Sequence, residues 1–129
     1  MEVSEMNLSD GEYTVEVTLE GGSGRASIQS PTELTIENGQ AQAEIVWSSS
    51  HYDYMMVNGD KYLPVNTEGN STFEIPVSVF DEPMTVIGDT TAMSVPHEVE
   101  YTLTFASESV ASVQSSGGNG MGGAGMRLY

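Results

Sequence analysis

Cysteine is absent from this 129-residue chain, which removes disulfides, thiolate metal sites and cysteine nucleophiles together. A domain without disulfides is held by its core alone, and the 38% of apolar residues is enough for one. Basic residues are nearly absent too: three Lys and Arg stand against nineteen Asp and Glu, a net charge of −16. Nucleic-acid binding needs a basic footprint to displace counterions, so it is excluded. Anionic membrane surfaces are disfavoured for the same reason. No apolar run approaches the ~18 residues of a membrane span, and no charged-then-apolar leader opens the chain. Residues 1–9 are polar and read as a flexible segment, of the kind that follows a removed leader or a lipid anchor. The location is then either cytosolic or, as the low lysine content and Ser/Thr-rich strands favour, extracellular, at the cell surface or lipid-anchored.

Signals for catalysis are also missing. There are two histidines, His51 and His97, and no Gly-x-Ser-x-Gly, His-Glu-x-x-His or phosphate-cradling glycine loop. The carboxylates Glu16, Glu44, Glu74, Glu98 and Glu100 alternate with apolar residues, the pattern of a solvated sheet face rather than of paired acid–base groups. No segment has the dense acidic spacing of a calcium loop. The reading is of a protein that binds rather than catalyses.

What is present is period-two alternation, the mark of strands with one buried face. Tyr13, Val15, Val17 and Leu19 alternate with polar residues across Glu12–Glu20. Ala41, Ala43, Ile45 and Trp47 do so across Gln40–Ser48, and Phe73, Ile75, Val77 and Val79 across Thr72–Phe80. His97, Val99, Tyr101, Leu103 and Phe105 form the last such set. Shorter candidates lie at Arg25–Ser30, Glu33–Glu37, Tyr54–Val57, Lys61–Pro64 and Met84–Gly88. Asn38-Gly39 and Asn58-Gly59 are two-residue hairpin signals. Pro76 inside a strand pattern places that strand at an edge or a bulge. About eight or nine short strands at this spacing predict an all-β sandwich or barrel. Residues 10–105 form the domain, and 106–129 read as a Ser/Gly-rich flexible tail with one weak strand candidate.

The unusual residues cluster. Tyr52, Tyr54, Met55 and Met56 fall in His-Tyr-Asp-Tyr-Met-Met, Met93 lies just before the final strand, and His97 and Tyr101 are on one side of that strand. Histidine, tyrosine and methionine supply axial ligands to haem iron. Each also has a plain reading, as a hydrogen-bonded edge histidine or as core filler. His97 and Tyr101 are expected on one sheet face, about 13 Å apart along a regular strand.

The order of elements carries a resemblance. Asp10-Gly-Glu-Tyr-Thr-Val15 is followed by Pro31-Thr-Glu-Leu-Thr-Ile-Glu-Asn-Gly39, a strand ending at Trp47, then Val57-Asn-Gly59, Phe73-Glu-Ile-Pro-Val77, Asp81-Glu-Pro-Met-Thr-Val86 and His97-x-x-x-Tyr101-Thr-Leu-Thr-Phe105. Residues 10–105 resemble the NEAT domain, the surface module with which Gram-positive bacteria take up haem, and the NEAT-like lipoproteins associated with iron transport. The resemblance implies an immunoglobulin-like antiparallel β-sandwich and an extracytoplasmic module that captures haem, or another iron-bearing ligand, and relays it to a surface transporter or receptor. In the family's Tyr-x-x-x-Tyr motif the first tyrosine ligates iron and the second supports it. Tyr101 matches the second position, and His97 occupies the first as the iron-ligand candidate. The family's helical lip corresponds here to the glycine-rich Glu20–Ser30, where no helix is expected. The cofactor-binding set expected from this resemblance is His97, Tyr101, Tyr52, Tyr54, Met55 and Met93, with His97 as leading ligand, Tyr101 supporting it through a hydrogen bond, and Met55, Tyr54 and Met93 as pocket wall or second ligand. The alternative is a cell-surface sandwich for protein or carbohydrate contacts, with no haem and the same residues serving as core or contact patch.

Overall fold

The computed structural model describes residues 1–22, 26–91 and 96–113. Ten strands form two five-stranded antiparallel sheets packed face to face, an immunoglobulin-like sandwich. The first sheet has the order β10-β1-β3-β4-β7, from β1 (Gly11–Val15), β3 (Thr32–Glu37), β4 (Gln40–Val46), β7 (Thr72–Val77) and β10 (Ala111–Ser112). The second has the order β2-β9-β8-β5-β6, from β2 (Val17–Gly21), β5 (Tyr52–Val57), β6 (Asp60–Tyr62), β8 (Met84–Thr90) and β9 (His97–Phe105).

The alternating residues of both sheets fill the space between them. Trp47, Phe73, Phe80, Phe105, Leu34, Ile45, Met55 and Leu103 are among the fully buried side chains. Each such side chain contributes about 1.5–3 kcal/mol relative to exposure, which is how a chain without disulfides stays folded. The two Asn-Gly pairs make the β3–β4 and β5–β6 turns, with φ of 52° and 75° at Asn38 and Gly39 and of 53° and 84° at Asn58 and Gly59. These positive angles are what a two-residue turn with the right twist requires. Pro76 lies on β7, an edge strand paired only to β4.

The structure revises several element boundaries. The alternating stretch Glu12–Glu20 is two strands, because the chain crosses between sheets at Glu16. Val15 pairs with Thr32 in the first sheet, and Val17 pairs with Phe105 in the second. The strand interruption is closed by other groups: Ser109 Oγ accepts from the Glu16 N–H at 2.7 Å, and the Glu16 carbonyl accepts from the Ala106 N–H at 3.0 Å. Both valines stay buried, so alternation alone does not reveal the crossing. The Arg25–Ser30 candidate is reduced to an isolated bridge between Ile28 and Trp47, with Arg25 outside the described residues. Residues read as a flexible start contain a 3-10 turn, Val3–Met6, and Glu2 bridges to Val79. At the other end, a 3-10 turn at Ser107–Ser109 leads into β10, which pairs with β1. Residues 114–129 of the expected tail lie outside the described residues.

Candidate functional site

The last strand organises the candidate site. β9 pairs with β8 without a register shift from Met84↔Leu103 to Thr90↔His97, so its two faces stay separate. His97, Val99, Tyr101, Leu103 and Phe105 share the inward face, as the sequence predicts. Burial fades along this row toward the hairpin: Phe105, Leu103 and Tyr101 are buried, Val99 is half-buried and His97 is exposed. The pairing of β2 with β9 ends at Gly21↔Tyr101, so the first part of β9 is paired with β8 on one side and not with β2 on the other.

Two glycines let the chain close over Tyr101 at that point. Gly21 (φ 115°) approaches so tightly that a Cβ would stand 2.7 Å from the Glu100 carbonyl oxygen. At Gly22 (φ 64°) a Cβ would meet the Tyr101 ring at 3.0 Å and Val99 Cγ1 at 3.2 Å. Both angles and both contacts favour glycine. The expectation of no helix concerned Glu20–Ser30; within it, Gly21 ends β2, Gly22 lies in a turn and residues 23–25 are outside the described residues.

Around Tyr101 lies an aromatic cluster. Trp47 stacks on Tyr52, with centroids 4.0 Å apart and planes 18° from parallel. Tyr101 tilts against Trp47 at 5.1 Å. The Tyr52 and Tyr101 hydroxyls are hydrogen-bonded at 2.9 Å. Burial, and then the bond to Tyr101, hold the Tyr52 phenol protonated far above its ordinary range. Gly88 of β8 makes room for this stack, since a Cβ there would touch the Tyr52 ring at 3.3 Å. Trp47 Nε1 is buried without a hydrogen-bond partner, an exception to the usual pairing of buried donors.

The predicted site residues do not all meet. Tyr52 and Tyr101 come together through their hydroxyls. Met55 is fully buried in the core rather than lining an open wall. Tyr54 is on the opposite face of the sheet, where its hydroxyl donates to the Glu98 carboxylate and Lys61 Nζ stands 4.3 Å from its ring centroid. The bond to Glu98 is the main cause that pushes the Tyr54 phenol up to about 12, with burial and the nearby Asp89, Glu98 and Asp53 charges adding to it. A pocket wall made jointly of Tyr54 and Met55 is thus corrected: the two alternate across one strand. Tyr101 does not support His97 through a hydrogen bond as expected; four residues of strand separate them by ~13 Å, and the Tyr101 hydroxyl is engaged by Tyr52. Met93 lies outside the described residues.

A β-bulge explains the separation of Tyr52 from Tyr54. Tyr52 pairs with Thr90 and Tyr54 with Asp89, so two residues of β5 oppose one of β8 and Asp53 is the extra residue. The sequence carries a signal for it: continuing the Met55, Val57 alternation backward would bury Asp53, and a bulge avoids that. Asp89, buried on the outward side of β8, was also missed, because its alternation with Val86 and Gly88 reads as a solvated position.

An open cleft of about 250 Å³ lies elsewhere, on the outer face of the first sheet, lined by Glu33, Thr35, Gln42, Ala43, Glu44 and Glu74. Burial, then the charges of Glu33 and Glu74, raise the Glu44 carboxyl above its usual range. No cluster of three or more His, Cys, Asp or Glu able to hold a metal ion occurs among the described residues. No helix among the described residues is long and apolar enough to cross a membrane.

Neither a protein-family model nor a curated protein matches the sequence. Solved structures do match. A mutant of the fifth NEAT domain of IsdX2, in complex with haem, superposes with a TM-score of 0.62 at 15% identity, over 76% of this chain and 96% of that one. The same domain from IsdX2, a B. anthracis hemophore, also in complex with haem, gives 0.61 at 14% identity, over 75% and 96%. With two five-stranded sheets in this arrangement, the chain is a β-sandwich of NEAT-like fold.

Proposed function

We propose that this chain is a non-catalytic, extracytoplasmic module that binds haem, or another iron-bearing ligand, and relays it for uptake to a surface transporter or receptor. The observation that carries the reading is the position of His97: an exposed imidazole at the head of the last strand, in line with half-buried Val99 and buried Tyr101, in a fold shared with one domain solved twice with haem, once as a mutant. The donor chemistry fits. Imidazole nitrogen is an axial ligand of haem iron, and haem would supply the iron for that bond. Half-buried Val99 offers apolar surface beside it. Tyr52 keeps the Tyr101 hydroxyl occupied and excludes water from beneath, so Tyr101 serves as a floor. Lys61, the one basic side chain among the described residues, is held over Tyr54 on the outer face, so the inner-face row of His97, Val99 and Tyr101 offers haem a nitrogen donor and apolar contact rather than a cation.

Titration of haemin into the protein, followed at the Soret band and by emission of the single Trp47, tests this. A saturable red-shifted band that His97→Ala removes or alters, with quenching of Trp47, is the expected outcome. A featureless titration identical in both proteins overturns it. That result favours the second reading, a surface module for protein or carbohydrate contacts. The closed packing of Tyr52, Tyr101 and Met55 supports that alternative, as do Leu63 and Val65, which flank Pro64 between β6 and β7 and are 65% and 56% exposed.

A further inference from the structure

The head of the last strand is held by its neighbours on one side only. Among the described residues, β9 ahead of Tyr101 is paired with β8 but not with β2, and His97 stands exposed at its start. Two side-chain bonds reach across β8 to this strand, one on each face of the sheet. On the inner face the Tyr52 hydroxyl of β5 meets the Tyr101 hydroxyl of β9 at 2.9 Å, and the Tyr52 ring packs against Gly88 of β8. On the outer face the Tyr54 hydroxyl of β5 donates to the Glu98 carboxylate of β9. Tyr54, Asp89 and Glu98 form one register row across β5, β8 and β9, so this bond joins the two outer members of the row over the middle one. Asp89 is only 4% exposed, as a side chain roofed by its two bonded neighbours would be. Lys61 of β6 extends the line, with Nζ 4.3 Å from the Tyr54 ring centroid. A cation over the ring and a carboxylate at the hydroxyl both hold the phenol in place.

The β5 bulge is what makes the lacing two-sided. Residues two apart on a regular strand share a face, and the extra residue between Tyr52 and Tyr54 sends their hydroxyls to opposite faces. The two ties also anchor different points. The inner one fixes β9 at Tyr101, four residues from His97, whereas the outer one fixes Glu98, the residue next to it. We propose that Tyr54 and Glu98 are positioning residues for His97, locking the head of β9 to the body of the second sheet so that the imidazole is presented in one orientation. A donor ordered in advance costs a ligand less to engage. That His97 meets an iron-bearing ligand rests on the function proposed above; the lock itself is a property of the ligand-free protein.

Amide hydrogen exchange on the ligand-free protein is the first test, read at residues 97–100 relative to β3 and β4 of the other sheet. Tyr54→Phe keeps the ring beside Lys61 and removes the hydroxyl, and Glu98→Ala removes the acceptor. Each should lower protection at 97–100 about fivefold against that reference, and the double variant should lower it no further than either alone. Glu98→Gln keeps an oxygen acceptor and should restore most of the protection. Protection at 97–100 that neither variant moves, or a loss spread equally over both sheets, overturns the proposal. The second test is haemin release to an excess of a haem-scavenging globin. Release should be several-fold faster from Tyr54→Phe than from the parent and near the parent rate from Glu98→Gln, with the Soret position unchanged because His97 is intact. Equal release from the parent and Tyr54→Phe overturns the assignment. If the parent binds no haemin, the function proposed above fails, and the exchange result alone decides the lock.

Discussion

Tyr101 shows how one side chain changes meaning once its neighbours are known. In the sequence it stands four residues after His97 and reads as its support; in the fold its hydroxyl belongs to Tyr52. Both hydroxyls are buried, so removing either leaves the other without its partner. Tyr52→Phe and Tyr101→Phe are each expected to cost about 1–2 kcal/mol. The double variant should cost less than the sum of the two, because it leaves no orphaned hydroxyl. Urea unfolding monitored by Trp47 emission measures all three, and strict additivity would show that the bond contributes nothing. His97 was legible as a strand-opening histidine on the Tyr101 face, since period-two geometry fixes the face. Its exposure was not legible, because β2 stops at Gly21 and only the fold shows where the sandwich ends.

Elements were legible where a local signal coincides with the backbone requirement. The Asn-Gly turns are the clearest case, since positive φ at both positions selects those residues. A Cβ at Gly39 or Gly59 would meet nothing within 4 Å, so Gly39→Ala and Gly59→Ala should each cost about 1 kcal/mol through backbone conformation alone. Asn38→Gly should be close to neutral. Chemical denaturation distinguishes these, and a loss at Asn38→Gly as large as at Gly39→Ala would contradict the turn geometry. Pro76 narrowed its strand to an edge or a bulge, because a residue without an N–H suits a place that lacks a ladder partner, and the fold makes β7 the edge. The sheet switch at Glu16 was not readable. It preserves inward valines on both sides, so burial periodicity passes through it undisturbed. The bulge at Asp53 left a trace, a carboxylate in an inward slot, but only pairing with Thr90 and Asp89 locates it.

At the scale of the whole molecule, the acidic composition makes stability depend on where protons reside. Asp89 is raised from 3.8 to about 6 in the fold. Its contribution is fully present below the unfolded value and is lost as pH rises through about 6. Glu44 is shifted in the same direction by burial and its neighbours. Asp81 is the opposite case: its bonds to the Ser107 hydroxyl and N–H hold it below its ordinary 3.8. That contribution is present above 3.8 and is lost as pH falls through the depressed value. Stability should therefore peak on the acid side of neutrality, between 3.8 and about 6. Thermal unfolding across this range checks the sign. Asp89→Asn should flatten the decline toward neutral pH, and a maximum at pH above about 7 would contradict it.

By itself, the sequence determined the all-β class, the hairpin turns and the inward row of the last strand, because each follows from a repeat or a backbone angle that a few residues specify. The exclusion of thiol chemistry followed from composition in the same way. Tertiary structure alone decided which strands share a sheet, that Tyr54 and Tyr52 face opposite sides, that Tyr52 rather than His97 engages Tyr101, and that a bulge interrupts β5 at Asp53. Those outcomes depend on register and on contacts between residues distant in the chain, and alternation carries no information about which strand lies alongside.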